Sequence, residues 1–241
     1  ASAYIGHSIG EYVAATLSGV FKLDEALKVV VKRGELMQQM SKGSMLSINI
    51  SAEKIHEILP DNIEIAAYNS QEYIVVSGEY KEIELFQDKL AELNIPFSKL
   101  RTSHAFHSKM MKKAAKQFRQ YLQNININKP TKTFISNLTG DFIDDIQAAS
   151  IDYWTDHIIK PVQFSQGIKT LNTLYKNPIY IEVGPGRVLS TFLDQQAVNV
   201  LPNFKEFNKS EITDSLQFYN AIGKLWILGY NLDWAKICKA N

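Results

Sequence analysis

Tyr4-Ile5-Gly6-His7-Ser8-Ile9-Gly10-Glu11-Tyr12-Val13-Ala14-Ala15-Thr16-Leu17 carries the pattern from which the architecture can be argued. A short apolar entry leads into a serine between two glycines, and an apolar-rich segment of helical character follows until Ser18-Gly19. Strand, tight turn and helix in that order fit the Gly-x-Ser-x-Gly nucleophile elbow, in which the glycines permit a sharp turn and leave the serine Oγ exposed at a helix N-terminus. The next amide, that of Ile9, is then aimed at a developing oxyanion. The same five residues also occur as an ordinary structural turn, so the reading depends on what the rest of the chain supplies. His7 reads as a wall of the site rather than a base, because neighbouring side chains on an elbow point apart.

The whole chain bounds what the elbow can belong to. Its 241 residues suggest one large domain or one large plus one small unit. Lys+Arg 26 against Asp+Glu 25, a net charge of +1, 45% apolar and 21% charged residues describe a globular protein and argue against a basic nucleic-acid surface. No apolar run reaches the roughly eighteen residues needed to span a bilayer, so no membrane partner is expected. The single Cys238 excludes an intrachain disulfide framework and a CxxC metal site; a reducing, cytoplasmic setting and no metal are the expectations.

Outward from the elbow, a second helix is expected from Leu23 to Met40, with Leu23, Leu27, Val30 and Met37 on its apolar side and Gly43 closing it. Residues 44 to 101 then change character, in the order strand, helix, strand, strand, helix, strand: Met45–Ile50, Ala52–Leu59, Ile63–Tyr68, Tyr73–Ser77, Lys81–Leu93 and Pro96–Leu100. This is the split βαβ order of a ferredoxin-like unit of about sixty residues. Beyond Ser108, Met110, Met111, Ala114, Ala115, Phe118, Tyr121 and Leu122 repeat at helical spacing. A strand at Thr133–Asn137, a helix at Phe164–Tyr175 and a strand at Ile179–Val183 restore the alternation of a parallel sheet; an irregular stretch with Pro202 and a helix near Asp214–Leu228 follow. The fold class expected is α/β: an α/β-hydrolase-like parallel-sheet catalytic unit with an inserted ferredoxin-like subdomain. Its divisions are 1–43 and 102–198 for the catalytic unit, 44–101 for the insert and 199–241 for a trailing linker and helix.

A nucleophilic serine needs a base, and five histidines are available. His56 lies on a helix of the small unit and His157 in a polar stretch, so both read as solvated or capping. His104 and His107, in Ser103-His104-Ala105-Phe106-His107-Ser108, stand where the chain leaves the small unit, and clefts form at such junctions; a histidine pair in a loop is also a common structural feature. Arg33 interrupts a row of apolar residues. It reads either as a surface arginine paired with Glu35 or as a fork for a substrate carboxylate.

Taken together, Gly-His-Ser-Ile-Gly-Glu-Tyr (6–12), Arg33-Gly34, His-Ala-Phe-His-Ser (104–108), Ser136-Asn137-Leu138-Thr139-Gly140, Lys160-Pro161-Val162-Gln163-Phe164 and Glu-Val-Gly-Pro-Gly (182–186) resemble the malonyl-CoA:acyl carrier protein acyltransferases. The likeness is closest to the acyltransferase domains of modular type I polyketide synthases, and the tail with Leu225-Trp226 and Asp233-Trp234 resembles the linker that follows them. The resemblance implies that Ser8 is acylated, that His107 is its general base, and that a backbone carbonyl, expected from Gln163, orients the histidine. It implies that Arg33 grips the malonyl carboxylate, that Asn69 and His7 line the cleft, and that Phe106 selects malonyl over methylmalonyl by volume. Malonyl-CoA is then the substrate, no cofactor is bound, and the partners are an acyl carrier protein with its phosphopantetheine and other synthase domains such as a ketosynthase. Exposed Lys109, Lys112 and Lys113 are candidates for carrier docking.

Members of that family carry a Gly-Gln-Gly-type segment well ahead of the nucleophile, and only seven residues precede Ser8 here; the expectation is a chain that starts inside its catalytic unit. Two other functions stay open. A serine hydrolase or thioesterase would use the order Ser, Asp, His, for which Asp152 or Asp156 and His157 are available. A non-catalytic docking fragment of a larger synthase is the other.

Overall fold

Helix α1 (Gly10–Leu17) begins two residues after Ser8, and α2 (Leu23–Gln38) follows a short turn in a computed structural model that describes residues 1–184, 186–194, 199–202 and 214–239. Two compact units result, residues 1–174 and 175–241. In α2 the buried residues are Ala26, Val29, Arg33, Leu36 and Met37, at spacings of three, four, three and one. Leu23 and Leu27, expected on the apolar side, are exposed. The helix is rotated from that expectation because its buried face is built around Arg33.

The small subdomain matches its sequence pattern closely. Strands β1 (Ser44–Ile48), β2 (Glu64–Ser70), β3 (Tyr73–Gly78) and β4 (Phe97–Lys99) form one antiparallel sheet of order β2-β3-β1-β4, crossed by helices α3 (Ala52–Ile58) and α4 (Tyr80–Glu92). Its core is aliphatic and aromatic, with Leu46, Ile48, Ile55, Ile74, Ile83, Phe86 and Leu90 fully buried. The pairing of β2 with β3 slips at two places, between Ile65 and Ala67 and between Tyr68 and Ser70. Irregularities of this kind re-aim side chains at the end of a strand, and Asn69 lies in the second one.

The chain returns through a 3₁₀ turn (Lys109–Met111) into α5 (Lys112–Leu122), whose Ala114, Ala115, Phe118 and Leu122 pack with Tyr12, Val29, Phe134 and Trp154 in the second core of this unit. The strand expected at Thr133–Asn137 is a pair of bridges, Tyr4 parallel to Phe134 and Ile135 antiparallel to Phe142. Two short helices, α6 (Asp145–Ala148) and α7 (Ile151–Asp156), were not legible in the apolar pattern; each opens on a side-chain cap, from Asp144 and Ser150. Helix α8 (Phe164–Leu174) starts beside Val162, whose N–H and carbonyl bond Ala66 and Tyr68 and so tie the segment to β2.

In the second unit β5 (Ile179–Glu182) and β6 (Asn199–Pro202) pair in parallel, with α9 (Val188–Asp194) between them in sequence. Residues expected to be irregular around Pro202 therefore include a strand, and the expected division at 198/199 separates two paired strands. The Glu182 carboxylate accepts from the Leu189 and Ser190 amides and the Ser190 hydroxyl, which gives the Glu-Val-Gly-Pro-Gly motif a capping role; its Pro185 lies outside the described residues. Helices α10 (Asp214–Ile227) and α11 (Trp234–Lys239) complete the unit. Among the described residues no helix is long and apolar enough to cross a membrane, and no cluster of metal-ligating side chains is present.

Candidate active site

Ser8 sits in the left-handed region at φ 50°, where a side chain is strained by about 1–3 kcal/mol. Close packing at the elbow explains Gly6: a Cβ there would lie 2.1 Å from the Gly10 carbonyl carbon. Gly10, expected to be needed for the same turn, has open space where a Cβ would be, so only the first glycine is required sterically. The Gly10 and Glu11 amides bond the His7 and Ser8 carbonyls, and among the described residues no acceptor takes the Ile9 N–H.

His107 also has positive φ, 54°, and its Nε2 lies 2.8 Å from Ser8 Oγ. On the far edge of the ring Nδ1–H donates to the Lys160 carbonyl at 3.0 Å, which leaves the Nε2 lone pair for the serine proton. The orienting carbonyl is thus that of Lys160, not of Gln163; Gln163 lies three residues on, and its carbonyl accepts the Gly167 amide in the first turn of α8. Burial, then the positive charge of Arg33, then His157 and His7, hold the His107 imidazole well below the usual histidine range, against the opposing Lys160 contact. The imidazole is thereby held toward its neutral form, with Nε2 facing the serine hydroxyl.

Arg33 is 6% exposed, with an Nη2 3.5 Å from Ser8 Oγ. Its guanidinium lies 5.8 Å from the Tyr12 ring centre. Among the described residues its Nε has no hydrogen-bond partner, and Glu35 pairs with Lys32 instead. A buried guanidinium without a carboxylate is costly, and this one lies beside the Ser8 hydroxyl.

Asn69, 3% exposed at the β2 irregularity, accepts the His7 Nε2–H at 2.7 Å, and burial lowers the His7 pKa. The two side chains expected to line the cleft are thereby brought together. Phe106 is partly buried, packs on the core that contains Tyr12, and stacks on His104 with ring centres 5.9 Å apart. His104 is structural, bonded to Ser103 and to the Met40 carbonyl, whereas His56 is at the surface beside Tyr68.

His157 departs from its expected solvated place. It is 1% exposed and its Nε2 is 3.1 Å from Glu11 Oε2. The acids that would complete a hydrolase-type triad with it are engaged elsewhere, Asp152 with Arg119 and Asp156 with Lys160. Two residues at the site had no role assigned from sequence. Asn137 accepts the Ser8 N–H with Oδ1 and donates Nδ2–H to the Gly6 carbonyl, both at 2.7 Å. Glu11, fully buried, accepts the Asn137 amide at 2.9 Å. Both lie in motifs that carry the family resemblance, 6–12 and 136–140, but neither motif said what the side chain does.

Comparison with known proteins agrees with this geometry. The family described as "Acyl transferase domain" matches residues 1–212. A phenolphthiocerol/phthiocerol polyketide synthase polypeptide of Mycobacterium tuberculosis is 32% identical over 97% of this chain and 16% of its own length. Among solved structures, the acyl transferase domain of SpnD in complex with 2-(pent-4-yn-1-yl)malonyl superimposes with a TM-score of 0.89 at 31% identity, covering 95% of this chain and 56% of that one. The malonyl CoA-acyl carrier protein transacylase of Clostridium perfringens gives 0.79 at 29% identity, over 94% of this chain and 73% of that one. The chain spans about half of the solved synthase domain and a sixth of the synthase polypeptide. A serine–histidine pair on a glycine elbow, a buried arginine beside it and a family match across most of the sequence lead to one assignment: the chain belongs to the acyl transferase domain family.

Proposed function

We propose that the chain carries out ping-pong transfer of a malonyl group from malonyl-CoA, through an ester on Ser8, to the phosphopantetheine thiol of an acyl carrier protein in polyketide or fatty acid synthesis. The observation that carries this reading is Ser8 Oγ placed between His107 Nε2 at 2.8 Å and the buried guanidinium of Arg33 at 3.5 Å. As Oγ attacks the thioester carbon, its proton passes to His107 Nε2, and the oxyanion is met by the Ile9 amide. Collapse breaks the C–S bond; the departing CoA sulfur takes the proton from His107, and malonyl-Ser8 remains. The carrier thiol then gives its proton to His107 and attacks the ester, and Oγ recovers the proton as it leaves.

A malonyl ester on Ser8 places its free carboxylate within reach of Arg33, where two parallel N–H···O bonds replace the missing counterion. Phe106, one residue before the base, supports malonyl over branched diacids because a phenyl ring leaves little volume for a methyl substituent. Lys109, Lys112 and Lys113, exposed just after His107, offer positive charge to a carrier surface. Other domains of the same synthase, a ketosynthase among them, belong to this proposal.

Arg33→Ala tests it. Malonyl transfer should fall about 10²-fold or more, as expected when a charge-assisted bidentate pair worth roughly 3 kcal/mol is removed, while transfer of a neutral acetyl group changes far less. Equal losses for the two donors would take Arg33 out of the substrate site.

A further inference from the structure

Beneath the elbow lies a cluster of buried polar groups that the acyl-transfer steps do not use. Glu11 Oε2 accepts the Asn137 amide at 2.9 Å and the His157 Nε2–H at 3.1 Å, and Oε1 accepts the Tyr153 hydroxyl. Tyr153 in turn lies 2.8 Å from Ser136 Oγ, the residue before Asn137. A fully buried carboxylate in the first turn of a helix three residues past a nucleophile needs a reason. Replacing such a group with an apolar one is often neutral for stability, so stability alone does not call for it.

The reason is geometric. Ser8 is held at positive φ by Asn137, whose side chain takes the Ser8 N–H and gives to the Gly6 carbonyl, so that one amide clamps both flanks of the strained turn. Asn137 can do this only if its own backbone is fixed, and its N–H is fixed by Glu11. Glu11 also belongs to the turn it supports, since its amide bonds the Ser8 carbonyl at 2.9 Å. We infer that Glu11 is a positioning residue for the nucleophile: acting through Asn137, and anchored by Tyr153 and His157, it holds Ser8 in the left-handed turn that presents Oγ to His107. The inference rests on Ser8 being the nucleophile, and the carboxylate itself touches neither substrate nor the reacting atoms.

Two variants and two reactions test it. Glu11→Gln keeps the shape but cannot accept from all three donors, and Tyr153→Phe removes one donor while leaving the carboxylate. In single-turnover acylation by malonyl-CoA, Glu11→Gln should lower the limiting rate about 10- to 10²-fold with KM within about threefold, as small misplacements of a nucleophile do. Tyr153→Phe should lower it about three- to tenfold, in the same direction and again without moving KM. Labelling of Ser8 by a fluorophosphonate, which reads nucleophilicity without any acyl donor, should fall in parallel. Both rates are taken per folded molecule, with the folded fraction read by circular dichroism. Wild-type rates in both variants, even with a lower Tm, would overturn the inference by reducing the cluster to a structural one. If Glu11→Gln does not fold, a wild-type rate in Tyr153→Phe overturns it alone. Wild-type protein labelled by the fluorophosphonate but by no acyl-CoA would sink the transfer reading, with the positioning role still decided by the labelling rates. Failure of wild-type Ser8 to react with either would end both.

Discussion

Two polar clusters share Ser8 and differ in one respect. In the cluster of Glu11, Asn137, Tyr153, Ser136 and His157 the buried groups are joined to one another, the serine amide is one of its members, and among the described residues His157 Nδ1 is left without a partner. In the other, formed by the Ser8 hydroxyl, His107, Arg33 and the Ile9 amide, more hydrogen-bonding capacity is left over: among the described residues Arg33 Nε has no partner and no acceptor takes the Ile9 N–H. Joined polar networks hold a geometry, whereas leftover donors are capacity for a further partner. The difference separates the groups that build the elbow from those that face its hydroxyl, although Glu11 of the first set is only three residues from Ser8.

The sharpest way to break this comparison is His107→Ala. Removing the base should slow acylation of Ser8 by about 10²- to 10⁴-fold. His107 makes none of the supporting cluster's hydrogen bonds, although its ring packs on His157, so the thermal midpoint should fall only by what truncating a buried ring costs. A collapse of Tm alongside the rate would show that the two clusters are one structure.

A smaller effect concerns the acyl group. Phe106→Ser should raise methylmalonyl transfer relative to malonyl by about 10- to 200-fold, the range that one methyl group allows. The ratio is read from competing acyl-CoAs in a single reaction. An unchanged ratio would place Phe106 outside the acyl pocket and leave its ring as packing against His104.

The smallest effect is in pH. Burial and the Arg33 charge keep His107 below its ordinary 6.5, so the neutral base persists into mild acid and the acidic limb of kcat/KM should fall below that value. Arg33→Ala removes a repelling charge and should move the limb upward. For stability the sign is the same: the unfolded chain binds the proton more readily than the native one, so the His107 contribution is present above 6.5 and declines as the pH falls below it. A limb at or above 6.5 in the wild type would contradict the neutral, shielded base.

What the sequence disclosed followed from periodicity and from short motifs. The small subdomain was legible because its strands and helices each bury one regular face, and Ile55, Ile83, Phe86 and Leu90 lie where the pattern puts them. A turn, a junction and an interrupted apolar row marked Ser8, His107 and Arg33 as candidates with structural alternatives, and only the family resemblance gave them roles. Helix α1 was legible as a helix but its buried face was not: it buries Glu11 completely and exposes Val13 and Leu17, the inverse of what hydropathy predicts. A buried carboxylate is stable there only because donors from 126, 142 and 146 residues away converge on it, and no local pattern reports such a convergence. His157 was misplaced for the same reason, since its partner is at the other end of the unit. The orienting carbonyl moved from Gln163 to Lys160 because backbone carbonyls carry no side-chain signature at all.

One measurement addresses the central claim directly. The protein is incubated with an equimolar mixture of malonyl-, methylmalonyl- and acetyl-CoA, then digested, and the peptide that contains Ser8 is weighed. The account predicts one covalent acyl group on Ser8, predominantly malonyl, absent from Ser8→Ala and lost when a phosphopantetheine thiol is added. Acylation at another residue, or acetyl in preference to malonyl on Ser8, would contradict it.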